Sequence, residues 1–163
     1  MCGRTHTLLL LLLPLVPACA VPHAPPANGI SGLERVWIEA LGVDEWPAAR
    51  AVERSLRRLP EVAEVTVELS TNLVTIVPRS DTEFGFAAAA DAVRAAGYRP
   101  GRMWLRARGD VVAADGLLRF HIAGWKEPLR LGARPEPGLI LFDAAVRFSS
   151  DGVSLWPQHA PAL

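Results

Sequence analysis

Between residues 35 and 106 the spacing of apolar side chains switches from strand-like to helix-like and back, twice, and few folds accept that order. Val36, Ile38 and Ala40 alternate with Arg35, Trp37 and Glu39, which predicts a half-buried strand over residues 35–40. Gly42-Val43-Asp44-Glu45-Trp46-Pro47 breaks the alternation. Asp44 is the expected N-cap there, and Pro47 suits a first helical turn, where a missing N–H costs little. Ala49, Val52, Leu56 and Leu59 then recur at helical spacing, with Arg50, Glu53, Arg54, Arg57 and Arg58 mostly on the other side, and Pro60 is the expected stop. Val65, Val67 and Leu69 predict a second strand, Ser70-Thr71-Asn72 a polar turn, and residues 73–77 a third strand returning as a hairpin. Ser80 and Glu83 have capping-box spacing ahead of an alanine-rich helix. Its apolar stripe is Phe86, Ala89, Ala90, Val93 and Ala96, and Gly97 is the natural terminator. Met103, Leu105 and Ala107 alternate with Arg102, Trp104 and Arg106 in a fourth strand.

A βαββαβ order with helices of this length predicts an α+β, ferredoxin-like sandwich, an antiparallel sheet with both helices on one face. The fourth strand then lies beside the first. Trp37 and Trp104 project together from the open face, accompanied by Arg35, Arg102 and Arg106. Two tryptophans are costly to leave in water, so this face is expected to be covered, first by the carboxy-terminal strands and otherwise by a protein partner. Met103 falls on the core face, a packing residue rather than a copper ligand.

On these residues the stretch resembles the heavy-metal-associated (HMA) domain, the module of copper chaperones, metal-pumping ATPase arms and periplasmic mercury-binding proteins. The likeness runs through Val36-Trp37-Ile38, Gly42, residues 49–59 followed by Pro60-Glu61-Val62, then Val65-Thr66-Val67-Glu68-Leu69, Val74-Thr75-Ile76 and Ala92-Val93-Arg94-Ala95-Ala96-Gly97-Tyr98. It covers somewhat under half of the chain. The resemblance implies a metal ion as cofactor or cargo, and it places Gly-Met-Thr-Cys-x-x-Cys in the first loop, where two thiolates take a soft metal. Here that loop reads Gly42-Val43-Asp44-Glu45-Trp46-Pro47-Ala48. Glu45 and Ala48 stand at the cysteine positions and Val43 at the methionine. Ala48 ligates nothing, so thiolate binding of copper(I) or mercury is not supported. Asp44 and Glu45 leave a carboxylate site as an alternative, though acids at a helix N-terminus are more often caps and dipole partners.

The remaining chain reads as an export device in front and an appendage behind. Arg4 followed by the apolar run of residues 8–16 is a signal segment, too short to span a bilayer as a mature helix. Two cleavage readings are open. Val16-Pro17-Ala18-Cys19 resembles a bacterial lipobox, with Cys19 becoming the lipidated first residue; Ala18-Cys19-Ala20 also fits ordinary signal peptidase, with cleavage before Val21. The first reading gives a signal over 1–18, a tether over 19–32, an HMA-like domain over 33–108 and a small β region over 109–163. It predicts a lipoprotein of the bacterial cell envelope or periplasm, with the membrane as partner through its anchor. The chain's 2 cysteines are Cys2 and Cys19, which leaves no disulfide or cysteine nucleophile in the folded part.

Past Gly109 the pattern is short strands and turns. Residues 111–114 meet Asp115-Gly116 as a hairpin; Leu118, Phe120 and Ile122 alternate with Arg119 and His121; Gly124 to Pro128 turn into residues 129–131. Residues 132–138 read as a loop. Residues 139–148 form a long or bent strand with Val146 and Phe148 on one face, and Ser150-Asp151-Gly152 turn into residues 153–156. This predicts a small barrel or a sheet extension; an oligonucleotide/oligosaccharide-binding-type barrel is one form open to it, without a diagnostic motif. No catalytic constellation frames His121 or His159, His23 lies in the tether, and an enzyme is the least expected class. Lys plus Arg and Asp plus Glu are 17 each, and together with export this argues against a nucleic-acid partner. The residues define either a metal-handling module or a metal-independent interaction domain with an unidentified protein partner.

Overall fold

A computed structural model describes residues 32–80, 82–114, 116–133 and 141–158. The signal segment, Cys19, the tether with His23, the loop past Ala133, Asp81, Asp115 and His159 lie outside the described residues.

The elements run β1 (Leu33–Leu41), α1 (Trp46–Leu56), β2 (Val62–Glu68), β3 (Leu73–Pro78), α2 (Phe86–Ala95) and β4 (Arg99–Ala114), then β5 (Leu117–Ile122), β6 (Leu129–Leu131), β7 (Leu141–Ser149) and β8 (Gly152–Pro157). The first six form the expected sandwich. Their strands lie in the order β2-β3-β1-β4, every pair antiparallel. Val36, Ile38 and Ala40 face inward with Val65, Val74, Ile76, Met103 and Leu105, and the buried sides of α1 and α2 close over them. Asn72, with φ of 55°, makes the β2–β3 turn, a left-handed conformation that asparagine tolerates better than most residues.

Three local expectations are corrected. Asp44 does not cap α1. Glu45 holds the N-cap position in extended backbone, with no side-chain cap bond. Pro47 lacks the N–H that a cap would reach at the second helical position, so little is gained by capping there. The helix also ends at Leu56, a turn before Pro60, because residues ahead of a proline avoid helical backbone. The capping box at Ser80 and Glu83 does not form either. The N-cap of α2 is Gly85, and the Glu83 carboxylate accepts a hydrogen bond from the Lys126 backbone N–H at 2.7 Å. Burial of Phe84 and Phe86, edge to face at 5.3 Å, sets where α2 begins.

β4 runs through the expected junction at 108/109 without a break. Its residues 103–108 pair with β7, and residues 109–114 pair with β5. β5 then pairs with β6, β6 with β8 in parallel, and β8 with β7, so β4-β5-β6-β8-β7 closes into a ring. Phe120, Ile122, Leu131, Ala144, Val146 and Leu155 fill it and continue the sandwich core without interruption. Phe148 does not join Val146 inside; it is 49% exposed where β7 leaves the ring. Trp125, in the β5–β6 turn, packs on Phe86 at 5.9 Å and ties the ring to the start of α2.

Candidate functional site

Two regions carry the singled-out residues. The first is the loop between β1 and α1. Gly42, with φ of 91°, turns the chain sharply, and the Val43 N–H donates to the Ala40 carbonyl at 3.3 Å. Val43 is thereby driven fully into the core. Asp44, Glu45, Trp46 and Pro47 are exposed, and Ala48 is buried against the sheet. The donor set is two adjacent carboxylates and no sulfur, with only the methyl group of Ala48 at the next inward position. These residues do not fit a soft metal, which needs converging thiolates. Among the described residues no three metal-binding side chains of the His, Cys, Asp and Glu types come together.

The second region is the open face of the sheet. Trp37 and Trp104 are directly opposed across β1 and β4, and one register line runs Thr66, Thr75, Trp37, Trp104, Ala145, Trp156 from β2 to β8. Trp37 is 2% exposed and Trp104 5%. Among the described residues the carboxy-terminal strands do not lie over them as expected. β7 extends the sheet sideways, because pairing with β4 satisfies its backbone, and it supplies only Ala145 to the tryptophan cluster. Guanidinium groups flank the rings instead. Arg35 and Arg106 lie 5.9 and 5.7 Å from the centre of Trp37, and Arg102 lies 5.2 Å from that of Trp104. Such stacking removes apolar area from water and adds cation–π attraction.

Carboxylates fix two of these arginines in place. Arg102 donates to Glu39 through Nε at 3.1 Å and Nη2 at 2.8 Å, while its backbone N–H reaches the other carboxylate oxygen at 3.0 Å. Burial raises the Glu39 carboxyl, but the side-chain and backbone hydrogen bonds from Arg102, with its charge, outweigh that and hold the group below its usual value. Arg106 forms a two-pronged pair with Asp143 of β7 at 2.7 and 2.8 Å, which holds its guanidinium above the usual range. Arg35 stacks without a carboxylate partner among the described residues. The Trp37 Nε1–H is buried with no acceptor among the described residues.

Arg35 and Arg106 stack on Trp37 and Arg102 on Trp104, with the two tryptophans opposed across β1 and β4. Sequence reasoning missed Asp143, Arg147 and Trp156, although Arg147 stacks on Trp156 at 4.4 Å in the same way. The spacing of Arg two residues from Trp, as in Arg35-Val36-Trp37, does not extend to this pair, since Arg147 and Trp156 lie on β7 and β8 and meet only through the pairing of those strands. His121 is half-buried on β5, and its Nε2 hydrogen-bonds the Trp125 carbonyl at 2.7 Å, a turn-fixing contact. Nothing in either region pairs a nucleophile with a base.

No family model matches the sequence, and no curated protein matches it. Solved structures resemble part of it. The N-terminal domain of ZntA in its Zn(II) form is 30% identical over 44% of this chain and 92% of its own, with a TM-score of 0.38. The N-terminal domain of a potential copper-translocating P-type ATPase from Bacillus subtilis, in the Cu(I)-loaded state, is 22% identical over 42% of this chain and 84% of its own, with a TM-score of 0.38. Oxidized MerP from Ralstonia metallidurans is 17% identical over 42% of this chain and 94% of its own, with a TM-score of 0.39.

Proposed function

We propose that the chain is an exported, lipid-anchored binding module that keeps the heavy-metal-associated scaffold without its thiolate site. The loop between β1 and α1 supports the absence of a thiolate site: it turns sharply at Gly42 and enters α1, while the positions to which the resemblance assigns sulfur donors hold Val43, Glu45 and Ala48. A fold retained around a lost site acts through its surfaces, as a non-enzymatic interaction domain of the cell envelope. Metal handling is what the family resemblance implies, and the donor chemistry of the loop speaks against it. The deciding experiment is equilibrium dialysis of the chain from Val21 against copper(I), zinc, nickel and mercury(II), beside a Glu45→Cys, Ala48→Cys variant. The native chain is expected to leave all four unbound while the variant takes up copper(I). Micromolar or tighter binding by the native chain would overturn this reading in favour of a carboxylate site at Asp44 and Glu45.

A further inference from the structure

The outer side of α1 carries an unusual combination. Trp46, in its first turn, is 68% exposed, the most exposed large apolar side chain among the described residues. Arg50 and Arg54 follow one and two turns on, and with Trp46 and Pro47 they line an open groove of about 280 Å³. Arg57 and Arg58 prolong the face. Arg57 is tied to Glu53 at 2.6 Å, but Arg50, Arg54 and Arg58 have no carboxylate partner among the described residues. The chain as a whole is neutral, so this clustering is local. Ala48, Ala49, Val52 and Leu56 bury the opposite side, which fixes the basic face outward. Asp44 and Glu45 sit on the loop before Trp46 and oppose its charge only at that end.

We propose that this face docks on a bilayer rich in acidic phospholipid, with Trp46 at headgroup level and Arg50, Arg54 and Arg58 against lipid phosphates. Indole is the side chain that favours the membrane interface. Guanidinium matches phosphate, and its stem covers apolar surface on the way. A stable protein interface needs on the order of 800 Å² per partner around an apolar centre, whereas this face offers one indole and a proline in a basic surround. Its access to a bilayer rests on the export reading above; the binding stands on α1 and on Arg58 just past its end.

The test mixes the full chain with vesicles of phosphatidylcholine, alone or with phosphatidylglycerol, carrying brominated acyl chains that quench nearby tryptophan. Trp37 and Trp104 are buried and Trp125 and Trp156 half-buried; all four remain in Trp46→Phe, whose quenching supplies the background. Any insertion of the N-terminal apolar segment is common to wild type and variants, so the differences between vesicle types and between variants are what is read. Stronger quenching is expected with the acidic vesicles, lowered by salt and absent in Trp46→Phe. Joint Arg50→Gln, Arg54→Gln and Arg58→Gln is expected to lower the excess of acidic-vesicle over neutral-vesicle partitioning about a hundredfold. Asp44→Asn with Glu45→Gln is expected to strengthen it, all variants keeping the native circular dichroism. Equal quenching by both vesicles, persistence in Trp46→Phe, or wild-type partitioning of the arginine variant would each overturn the proposal. No quenching by either also overturns it and leaves an acidic protein as the partner. The mass of the processed N-terminus tests export separately.

Discussion

Trp37 shows how much a single side chain can decide. It sits between two guanidinium groups and a second indole, and its own N–H goes unanswered among the described residues. Replacing it with serine removes the ring and opens a gap that flanking arginines fill poorly, so Trp37→Ser is expected to cost about 3–5 kcal/mol in urea unfolding. Trp37→Phe keeps an apolar ring and discards the unmatched donor, so its cost should stay within about 1.5 kcal/mol. Equal losses in the two variants would mean that the indole N–H is satisfied. Glu39 sets an acid limit. Its folded pKa lies below the ordinary 4.5, so its contribution is full above that value and is lost as pH falls through the lower folded one. The urea midpoint is therefore expected to drop on acidification below about pH 4.5, and Glu39→Gln to flatten that part of the profile. An unchanged profile would remove Glu39 as the titrating group.

Among the elements, the sandwich was legible in the sequence because each of its strands and helices buries one side. Period two at Val36-Trp37-Ile38 and helical spacing at Ala49, Val52 and Leu56 are direct records of that. The caps were less legible, since the burial of Phe84 and Phe86 outweighed a local hydrogen bond at Ser80 and Glu83. What could not be read was the partner of β4. Arg102, Trp104 and Arg106 announce a strand, but nothing in them says that its far edge takes β7, so Asp143 and Arg147 stayed hidden from the tryptophan face. The β4–β5 pairing depends on a residue with no side chain. A Cβ on Gly109 would lie 2.1 Å from the His121 carbonyl oxygen, a backbone atom that cannot step aside. Gly109→Ala is expected to destabilise by about 1–3 kcal/mol or more, seen as a lower thermal midpoint.

For the whole molecule, β4 belongs to both the sandwich and the ring, and one core fills both. The described residues should therefore unfold together. Fluorescence of the five tryptophans, spread over the sandwich and the ring, and far-ultraviolet circular dichroism are expected to give one coincident thermal transition, which Gly109→Ala shifts as a unit. Two separated transitions would show that the ring can open while the sandwich stands.

Ring closure also settles how copies of this chain can meet. Among the described residues β2 is the one strand with a neighbour on a single side. It is guarded by Glu64 and Glu68 and by the irregular register between Val62 and Glu64. Among the described residues, pairing through β2 therefore joins one folded copy to one other and leaves neither with a second strand whose whole edge is free.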